Sequence, residues 1–460
     1  MSDRFARGFE AQIRHDVRVH DDLLIGGSPL RAVRLSSAAR ARIVDGRLTV
    51  HDATDAALTA RLIDGNLADP VLHGCGPHAR ELTVIIPIRD RPEQLDRCLR
   101  ALDGLRCIVV DDESHDPDAV TRVAVEHDAR IISLPVNLGP AGARNTGLLA
   151  VDTPYVALVD SDVQADAAML RRLARHFDDH RVALVGPLVR SRSRADVPRW
   201  FERYDEQVSS LALGRRACSV RPGAAVAWLP SACLVARVDR LRVAGGFAEE
   251  MRVGEDVDLV WRLVDSGEVV RYDPAETAWH DARGSVTGWL GRKFLYGTGG
   301  ADLAARHGRT GAPAVISATM AISAAAVLVA RPWSLPVAAL GLLSGVRSLH
   351  RRLPPTAHRS GLAVQLATQG LGWAVRQEAA LLLRHWWPLA AVGVLRSRSV
   401  RRALVTALLV DIVVAGIDHP EARYAPVSRR LDDLAYGAGL WVGALRARSV
   451  AALLPRRPGA

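Results

Sequence analysis

The sequence predicts an α/β domain that follows a small winged-helix-like unit and precedes an α-helical region. At 460 residues the chain is longer than one hydrophobic core supports, because cores stop growing at about 250–300 residues. From residue 82, short β-branched runs alternate with longer amphipathic segments, as in successive βαβ units. Past residue 310 the composition is rich in Ala, Leu and Val. We therefore divide the chain into residues 1–80, 81–305 and 306–460.

The composition excludes a disordered or fibrous chain, because 49% of the residues are hydrophobic and 24% are charged. The net charge of +10 is almost all arginine, with Lys293 as the single lysine. A GC-rich genome explains this usage as well as a binding task does, and we expect no nucleic-acid partner. Five cysteines without a CxxC pair indicate neither a disulfide framework nor a zinc cluster. With no secretory signal at the N-terminus, we expect a cytoplasmic protein, free or at the inner face of the membrane.

The first 80 residues predict short strands and two helices. Two strand-like runs, around residues 23–25 and 31–35, flank a Gly-Gly-Ser-Pro turn and predict a hairpin. A helix is expected to start at the cap residue Ser36, and a second one near Thr54. This content is typical of a winged-helix-like domain.

Four apolar runs predict the parallel strands of the central domain, at residues 83–87, 107–111, 130–134 and 155–160. Helical stretches such as 92–102 separate them. Because ligands bind beyond the carboxyl ends of such strands, polar residues directly after each run are candidate ligands. Asp111 and Asp112 follow the second run, and Asp160 and Asp162 follow the fourth.

The sequence Asp160-Ser161-Asp162 is a candidate metal-binding motif. A divalent Mg²⁺ or Mn²⁺ ion that bridges carboxylates to a nucleoside diphosphate removes the repulsion between its phosphates. His280, after a further probable strand, is a candidate additional ligand. A solvated turn and a structural histidine are the alternatives, but the position of the motif at a strand end favours a metal site.

A second acidic group, Glu255-Asp256, follows Gly254 and opens a predicted helix. Carboxylates in a first turn are stabilised by the helix dipole, so helix capping is the plain explanation. The functional interpretation is that Asp256, beside Glu255, is the general base that takes a proton from an acceptor hydroxyl. We prefer the functional interpretation because a bound metal ion and a general base together make one coherent transfer mechanism.

Further residues are candidates for nucleotide binding. Arg144 follows a glycine-rich turn at the expected start of a helix, where a guanidinium can face phosphate, although the segment can also be a turn only. Asp112 can accept a hydrogen bond from a base edge, with Pro87 and Arg89 lining the same pocket, and we add Asp160 to this group. The chain has no GxxxxGK[ST] loop, which counts against a kinase or ATPase.

The region past residue 306 is expected to be helical. Residues 312–330 are nearly free of charge and long enough to span a bilayer. Residues 379–395 and 403–417 are interrupted by Arg384 and Asp411, as in packed or interfacial helices. A soluble bundle of alanine-rich helices is an equally good interpretation.

Taken in order, these motifs resemble the family 2 glycosyltransferases of GT-A fold: Val84-Ile85-Ile86-Pro87, Val109-Val110-Asp111-Asp112, Arg144-Asn145, Asp160-Ser161-Asp162 and Gly254-Glu255-Asp256. The resemblance covers residues 80–300. It implies an inverting mechanism with Asp112 at the nucleotide base, Asp162 as a metal ligand and Asp256 as the base.

With its Gly26-Gly27-Ser28-Pro29-Leu30-Arg31 leader domain and hydrophobic tail, the wider chain resembles the actinobacterial glycosyltransferases of mycofactocin biosynthesis. This resemblance implies transfer of glucose from UDP-glucose to a small peptide-derived redox cofactor, and the N-terminal unit resembles peptide-recognition domains. The chain departs from the common pattern in two places. Arg89-Asp90 replaces a frequent Tyr-Asn, and the Gln-x-x-Arg-Trp motif of processive synthases is missing, which speaks against long-chain extrusion.

Three alternatives stay open. The same catalytic domain can serve a polyprenyl phosphate or another lipid acceptor at the inner face of the membrane. An inactive module that binds a nucleotide sugar or a peptide belongs to another functional class. A nucleotidyltransferase ranks last, because the chain lacks a glycine-rich activating loop with lysine near Pro87.

Overall fold

The computed structural model describes residues 5, 7–20, 22–74, 76–355, 358–420, 422 and 426–458, so Cys75 lies outside the described residues. The chain forms two compact units. The first consists of Met1–Arg194 and Val208–Ala282, and the second of Ala195–Gln207 and Arg283–Ala460. The predicted domain boundaries at residues 80 and 305 stay predictions.

The N-terminal part of the first unit holds two three-stranded antiparallel sheets and two helices, in the orders β2-β3-β4 and β5-β1-β6. The predicted hairpin is β3–β4, and Ser36 caps α1 by accepting a hydrogen bond from the Ala39 N–H, which confirms both predictions. The elements are β1 (Glu10–Ile13), β2 (Arg18–His20), β3 (Leu23–Gly26), β4 (Arg31–Arg34), α1 (Ser37–Ala41), β5 (Arg47–Thr49), α2 (Ala53–Asp64) and β6 (Ala68–Val71).

The next part of the chain forms a nine-stranded sheet with its helices. The elements are β7 (Leu82–Ile88), α3 (Pro92–Ala101), β8 (Arg106–Asp111), α4 (Pro117–Glu126), β9 (Arg130–Ser133), α5 (Gly139–Leu149), β10 (Tyr155–Val159), β11 (Val163–Gln164), α6 (Ala167–Leu173), β12 (Val182–Arg192), α7 (Trp200–Gln207), β13 (Cys218–Ser219), β14 (Cys233–Arg237), α8 (Val238–Val243), α9 (Glu255–Asp265) and β15 (Val269–Asp281). Of these, α7 belongs to the second unit.

The strand order is β11-β15-β12-β14-β10-β7-β8-β9, with β13 paired to β15. The four predicted strands are β7, β8, β9 and β10, and they form one parallel block. The sheet as a whole is mixed, because β14 inserts antiparallel between β10 and β12. The α/β class is therefore confirmed, whereas the expectation of a parallel sheet holds only for this block and for the pair β12–β15.

The strands β7, β8 and β10 of the parallel block are apolar because helices cover them. Every residue of β7 is buried, which explains its continuous Leu-Thr-Val-Ile-Ile-Pro-Ile sequence. Gly147 of α5 lies directly on this sheet: a Cβ there would come within 2.5 Å of Ile85 Cγ2. The glycine therefore lets α5 approach β7 closely, which brings Arg144 of the same helix near the carboxyl ends of the strands.

The second unit is helical. It contains α7 followed by α10 (Val286–Thr298), α11 (Gly300–His307), α12 (Ala318–Val329), α13 (Ser334–Arg352), α14 (Arg359–Ala380), a π-helical turn (Leu381–His385), α15 (Trp387–Arg396), α16 (Arg398–Asp418) and α17 (Pro426–Arg446). The stretch 312–330 holds a helix of 12 residues, α12. No helix in the described ranges combines the length and the apolar character that a membrane span needs.

The single lysine of the chain is a buried structural residue of this unit. Lys293 Nζ lies 3.2 Å from Asp205 Oδ1 and 3.3 Å from Asp432 Oδ2. The Tyr204 hydroxyl donates a hydrogen bond of 3.0 Å to the same Asp432 oxygen. The ammonium thus links α7, α10 and α17 in the interior of the unit, where its positive charge lies between two carboxylates.

Candidate active site

The candidate nucleotide residues lie at the carboxyl ends of β7 and β8. Pro87 is buried within β7 and pairs in register with Val110. Arg89 follows the strand, has a side chain 47% exposed, and donates a hydrogen bond of 3.3 Å to the Glu113 carbonyl. The two predicted pocket residues are therefore close in the fold, but only Arg89 offers an exposed polar group.

Asp112 is buried and holds the loop that leads into α5. Its Oδ1 accepts a hydrogen bond of 2.7 Å from the Leu138 N–H, and Asn137 Nδ2 donates one of 3.2 Å to the Asp112 carbonyl. The backbone N–H of Asp112 donates to Ile88 at 2.8 Å. The carboxylate thus sits where β7, β8 and the glycine-rich loop meet, and its contact with a nucleotide base stays a prediction.

Arg144 joins the two acidic motifs. It lies inside α5, because the helix begins five residues earlier, at Gly139, and not at Arg144 as predicted. Its side chain is 2% exposed and donates to Asp160 Oδ1 at 2.5 Å and to Glu255 Oε1 at 3.2 Å. Burial disfavours the charged guanidinium, but the carboxylates of Asp160 and Glu255 outweigh burial and raise the pKa of Arg144. Arg144 is therefore a buried cationic bridge, a role that the sequence analysis did not predict.

Asp256 lies in the first turn of α9, as predicted. Gly254 precedes this helix with a left-handed φ of 87°, which favours glycine. Asp256 Oδ2 accepts a hydrogen bond of 3.2 Å from the Ser231 N–H, and Oδ1 accepts one of 2.8 Å from the Val257 N–H. Desolvation, followed by the charge of Glu255, raises the pKa of Asp256 to about 7. A carboxylate with this pKa suits proton abstraction near neutral pH.

The two predicted metal ligands, distant in sequence, come together. Asp162 follows β10, and His280 lies within β15, which extends beyond it to Asp281. His280 pairs in register with Val163, and His280 Nε2 is 3.6 Å from Asp162 Oδ2. In the described part of the chain, His280 Nδ1 is buried without a hydrogen-bond partner. The same part contains no group of three or more His, Cys, Asp or Glu side chains arranged to hold a metal.

The sequence analysis assigned no role to Asn145 and Arg262, which shape the loop before α9. Asn145 Nδ2 donates to the Phe247 carbonyl at 2.9 Å, and Phe247 N–H donates back to Asn145 Oδ1 at 2.8 Å. Arg262 donates to the Gly246 carbonyl at 2.7 Å. Gly246 has a φ of 67°, and a Cβ there would come within 2.5 Å of Asn145 Oδ1. The Gly245-Gly246 pair was the sequence signal for this close approach.

A long segment, residues 217–231, connects the N-terminal strands to the candidate base. Asn66 Oδ1 accepts a hydrogen bond of 2.6 Å from the Ser219 N–H, and Asn66 Nδ2 donates one of 3.1 Å to the Ser219 carbonyl. Further along, the Ala227 carbonyl accepts a hydrogen bond of 2.8 Å from Trp261 Nε1. The segment then reaches Ser231, the backbone donor to Asp256.

Trp228, Trp261 and Trp279 are candidates for the acceptor pocket, because tryptophan rings can stack on sugar faces, although they also fill cores. Trp261 is buried and holds Ala227, the neighbour of Trp228. Trp279 is partly buried, and the guanidinium groups of Arg190 and Arg192 lie over its ring at 5.3 and 5.1 Å from the centroid. Trp228 and Trp261 are therefore close along the segment that leads to Asp256, whereas Trp279 is covered by arginines.

Comparison with known proteins gives two family matches and relatives of full length. The family Glycosyl transferase family 2 matches residues 83–220, and Glycosyl transferase family group 2 matches residues 155–409. The pre-mycofactocin glycosyltransferases of two Mycobacterium tuberculosis strains, CDC 1551 and H37Rv, are 41% identical over 470 aligned positions. The alignment covers 98% of this chain and 98% of each relative. Succinoglycan biosynthesis protein ExoW of Rhizobium meliloti is 40% identical over 93 residues, or 18% of this chain and 29% of that protein.

Among solved structures, the chain is similar to a mannosyltransferase from Pyrobaculum calidifontis in complex with GDP-Man and Mn²⁺. The similarity has a TM-score of 0.45 at 15% identity, and covers 81% of this chain and 90% of that one. TarS of S. aureus matches with a TM-score of 0.36 at 17% identity, over 48% of this chain and 40% of that one.

Proposed function

Because the chain belongs to glycosyltransferase family 2, with a GT-A-like α/β domain, we propose that it transfers a hexose with inversion onto a pre-mycofactocin acceptor. Glucose from UDP-glucose is the proposed donor, and the acceptor is a precursor of a small peptide-derived redox cofactor. The similarity to pre-mycofactocin glycosyltransferase over nearly the whole chain supports this acceptor class. A cytoplasmic location is part of the same proposal.

The observation that carries the proposal is the bridge formed by Arg144. Its guanidinium donates to Asp160, in the strand-end motif, and to Glu255, in the acidic helix turn. Carboxylates that follow β10 and open α9 therefore meet around one buried cation of α5. A transferase needs its donor group and its base on either side of a single reacting carbon, and this bridge holds the two motifs together.

The residues present fit a divalent cation beside the donor diphosphate. Asp162 and His280 face each other with an oxygen and a nitrogen donor, and such donors suit Mn²⁺ or Mg²⁺. The unpartnered Nδ1 of His280, buried among the described residues, leaves this imidazole free of competing hydrogen bonds at that atom. When bound, the ion would neutralise the charge that develops on the departing diphosphate.

Side chains of the protein have the remaining roles in this proposal. Asp112, Pro87 and Arg89 form the proposed nucleotide side, and Asp160 is kept in place there by Arg144. Asp256 is the proposed base: it takes the proton of the acceptor hydroxyl while that oxygen attacks the anomeric carbon opposite the diphosphate. Glu255 does not touch the proton in this proposal; its charge raises the pKa of Asp256.

The test is transfer with purified protein. A panel of nucleotide sugars is incubated with and without pre-mycofactocin, and both the released nucleotide and the mass of the acceptor are measured. We expect acceptor-dependent release of UDP from UDP-glucose, a mass increase of one hexose per transfer, and a β-linked product by NMR. Release that does not depend on the acceptor, or none with any donor, contradicts the proposal, and an α-linked product contradicts inversion.

A further inference from the structure

The helix α16 exposes a stripe of apolar side chains to solvent. Apolar side chains on one of its faces are exposed: Val405 59%, Leu408 38%, Leu409 58%, Ile412 58%, Val413 60% and Ile417 72%. Their spacing of three and four residues places them on a single stripe. The one charged residue within this stretch, Asp411, instead contacts Arg429 at 2.9 Å and Arg430 at 2.7 Å on α17. The charged residue within this stretch, Asp411, thus has partners in the protein, whereas the apolar stripe faces outward.

The preceding helix, α15, also exposes apolar side chains. It packs against α16 and exposes Leu389 60%, Val392 53% and Leu395 80%. We call the exposed apolar side chains of α15 and α16 together the outer face. Isolated exposed apolar residues are ordinary in proteins, but nine on two consecutive helices mark an interaction surface.

The charged residues where α15 meets α16 are all basic. The sequence has no Asp or Glu between Glu378 and Asp411. Exposed arginines lie where α15 meets α16, at Arg396, Arg398, Arg401 and Arg402, and in the described part of the chain none of the four pairs with an acidic side chain. Arg401 and Arg402 precede Val405 by one helical turn, so they continue the apolar stripe.

We propose that the outer face docks on an anionic phospholipid surface, with the arginines at the headgroups and the apolar side chains below them. Helices that lie in a membrane interface combine these features, and each basic residue near an anionic leaflet adds to the attraction. A second copy docked through the same face fits less well, because it would cover the apolar side chains, but the acidic residues of α16, Asp411 and Asp418, are already paired with arginines of their own chain. At the other end of the stripe, Asp418 is already paired with Arg376.

The test is co-sedimentation of the full chain with vesicles of phosphatidylglycerol and phosphatidylcholine, compared with phosphatidylcholine alone. We expect binding that requires the anionic lipid and weakens with salt. The variant L409S/I412S/V413S should bind at least about tenfold more weakly. Exchange of the four arginines for glutamine should remove the preference for phosphatidylglycerol. The control V125S/L149S/V243S changes side chains of equal or greater exposure, 65%, 81% and 89%, in the first unit, and should bind as the wild type does.

A second measurement does not depend on polar substitutions. Leu409→Trp keeps the stripe apolar. Brominated lipid tails in anionic vesicles should quench the fluorescence of this variant more than that of the wild type, which has ten tryptophans. Absence of vesicle binding by the wild type, or full binding by the serine variant, overturns the proposal. The proposal is also overturned if the wild type binds no lipid but forms a dimer, and the serine variant is a monomer. The outer face would then be the contact surface of a second copy. Neither donor nor acceptor is needed, so the outcome is independent of the proposed transfer.

Discussion

The backbone N–H of Ser231 donates a hydrogen bond of 3.2 Å to Asp256 Oδ2. This contact joins the end of the segment 217–231, directly before β14, to the first turn of α9. With the Val257 N–H on the other oxygen at 2.8 Å, both oxygens of the carboxylate are oriented by backbone donors. The orientation of the proposed base therefore depends on two elements that are separate in sequence.

Asp256→Asn should abolish transfer while donor binding is retained. The amide oxygen can still accept the Ser231 N–H, but the side chain no longer takes a proton, and general-base catalysis contributes about 10²- to 10⁴-fold. The measurements are single-turnover transfer and the Kd of UDP-glucose. Asp265→Asn, at the exposed end of the same helix, is the matched control and should keep full turnover. Unchanged turnover in Asp256→Asn would refute the assignment of the base.

The pH profile of kcat/KM should have an acidic limb governed by Asp256. Its pKa is raised to about 7 by desolvation and by Glu255, so the carboxyl is protonated and inactive as a base below that pH. We expect kcat/KM to fall about tenfold per pH unit below this value and to level off above it. Because the folded protein holds this proton more tightly than the unfolded chain, stability contributed by Asp256 is lost as pH rises from 3.8 to about 7. A limb centred near pH 4 would contradict the prediction.

Arg144→Ala should strongly destabilise the first unit. The change leaves Asp160 and Glu255 without the cation between them, and removal of one partner from a buried ion pair costs about 3–5 kcal/mol. Denaturant unfolding measures the free energy. Arg240→Ala is the control, because Arg240 is 41% exposed and its pair with Glu268 should be worth at most about 1 kcal/mol. Equal losses in the two variants would show that Arg144 is not a bridge.

Asp162→Asn should weaken the binding of Mn²⁺ in the presence of UDP by at least about tenfold. The carboxylate supplies an anionic oxygen that the amide does not replace, and excess chelator should stop transfer by the wild type until Mn²⁺ is restored. Titration calorimetry measures the Mn²⁺ affinity. Asp152→Asn, at the opposite end of β10, is the control and should bind Mn²⁺ normally. Full activity in excess chelator would contradict a metal-dependent mechanism.

Asn66→Ala should raise the KM of the acceptor and leave the KM of the donor unchanged. Asn66 exchanges two hydrogen bonds with the backbone of Ser219, and their loss loosens the segment that passes Trp228 on its way to Asp256. Two unsatisfied buried groups also cost about 1–3 kcal/mol each in stability. Gln12→Ala is the control, because the Gln12 amide donates within the N-terminal strands, to Gly46 at 3.1 Å. A rise in donor KM alone would contradict this role.

Several features were predictable because they depend on neighbouring residues. The strand runs at β7, β8 and β10 appeared as continuous apolar stretches, since both faces of these strands are covered. Ser36 was recognised as a cap because its partner, Ala39, lies three residues away. The acidic first turn of α9 was recognised because Glu255 and Asp256 directly follow Gly254 in the sequence.

Other features were not predictable from local pattern. The antiparallel insertion of β14 depends on pairing with β10 and β12, which lie far away in the chain. Asn145 and Phe247 exchange hydrogen bonds across a separation that no short motif spans. Arg144 carried a signal for phosphate binding, but its side chain faces two carboxylates instead.

The sequence alone determined which residues can carry the chemistry, namely the acidic residues after β10 and those that open α9. It also determined which apolar runs form the buried strands. Periodicity, capping and residue chemistry are local properties, so one chain is enough to recognise them. Only the tertiary structure decided which of these groups meet, such as Asp162 with His280 and Arg144 with Glu255. The physical reason is that such contacts depend on how strands from distant parts of the chain align in one sheet, and neither spacing nor composition records that alignment.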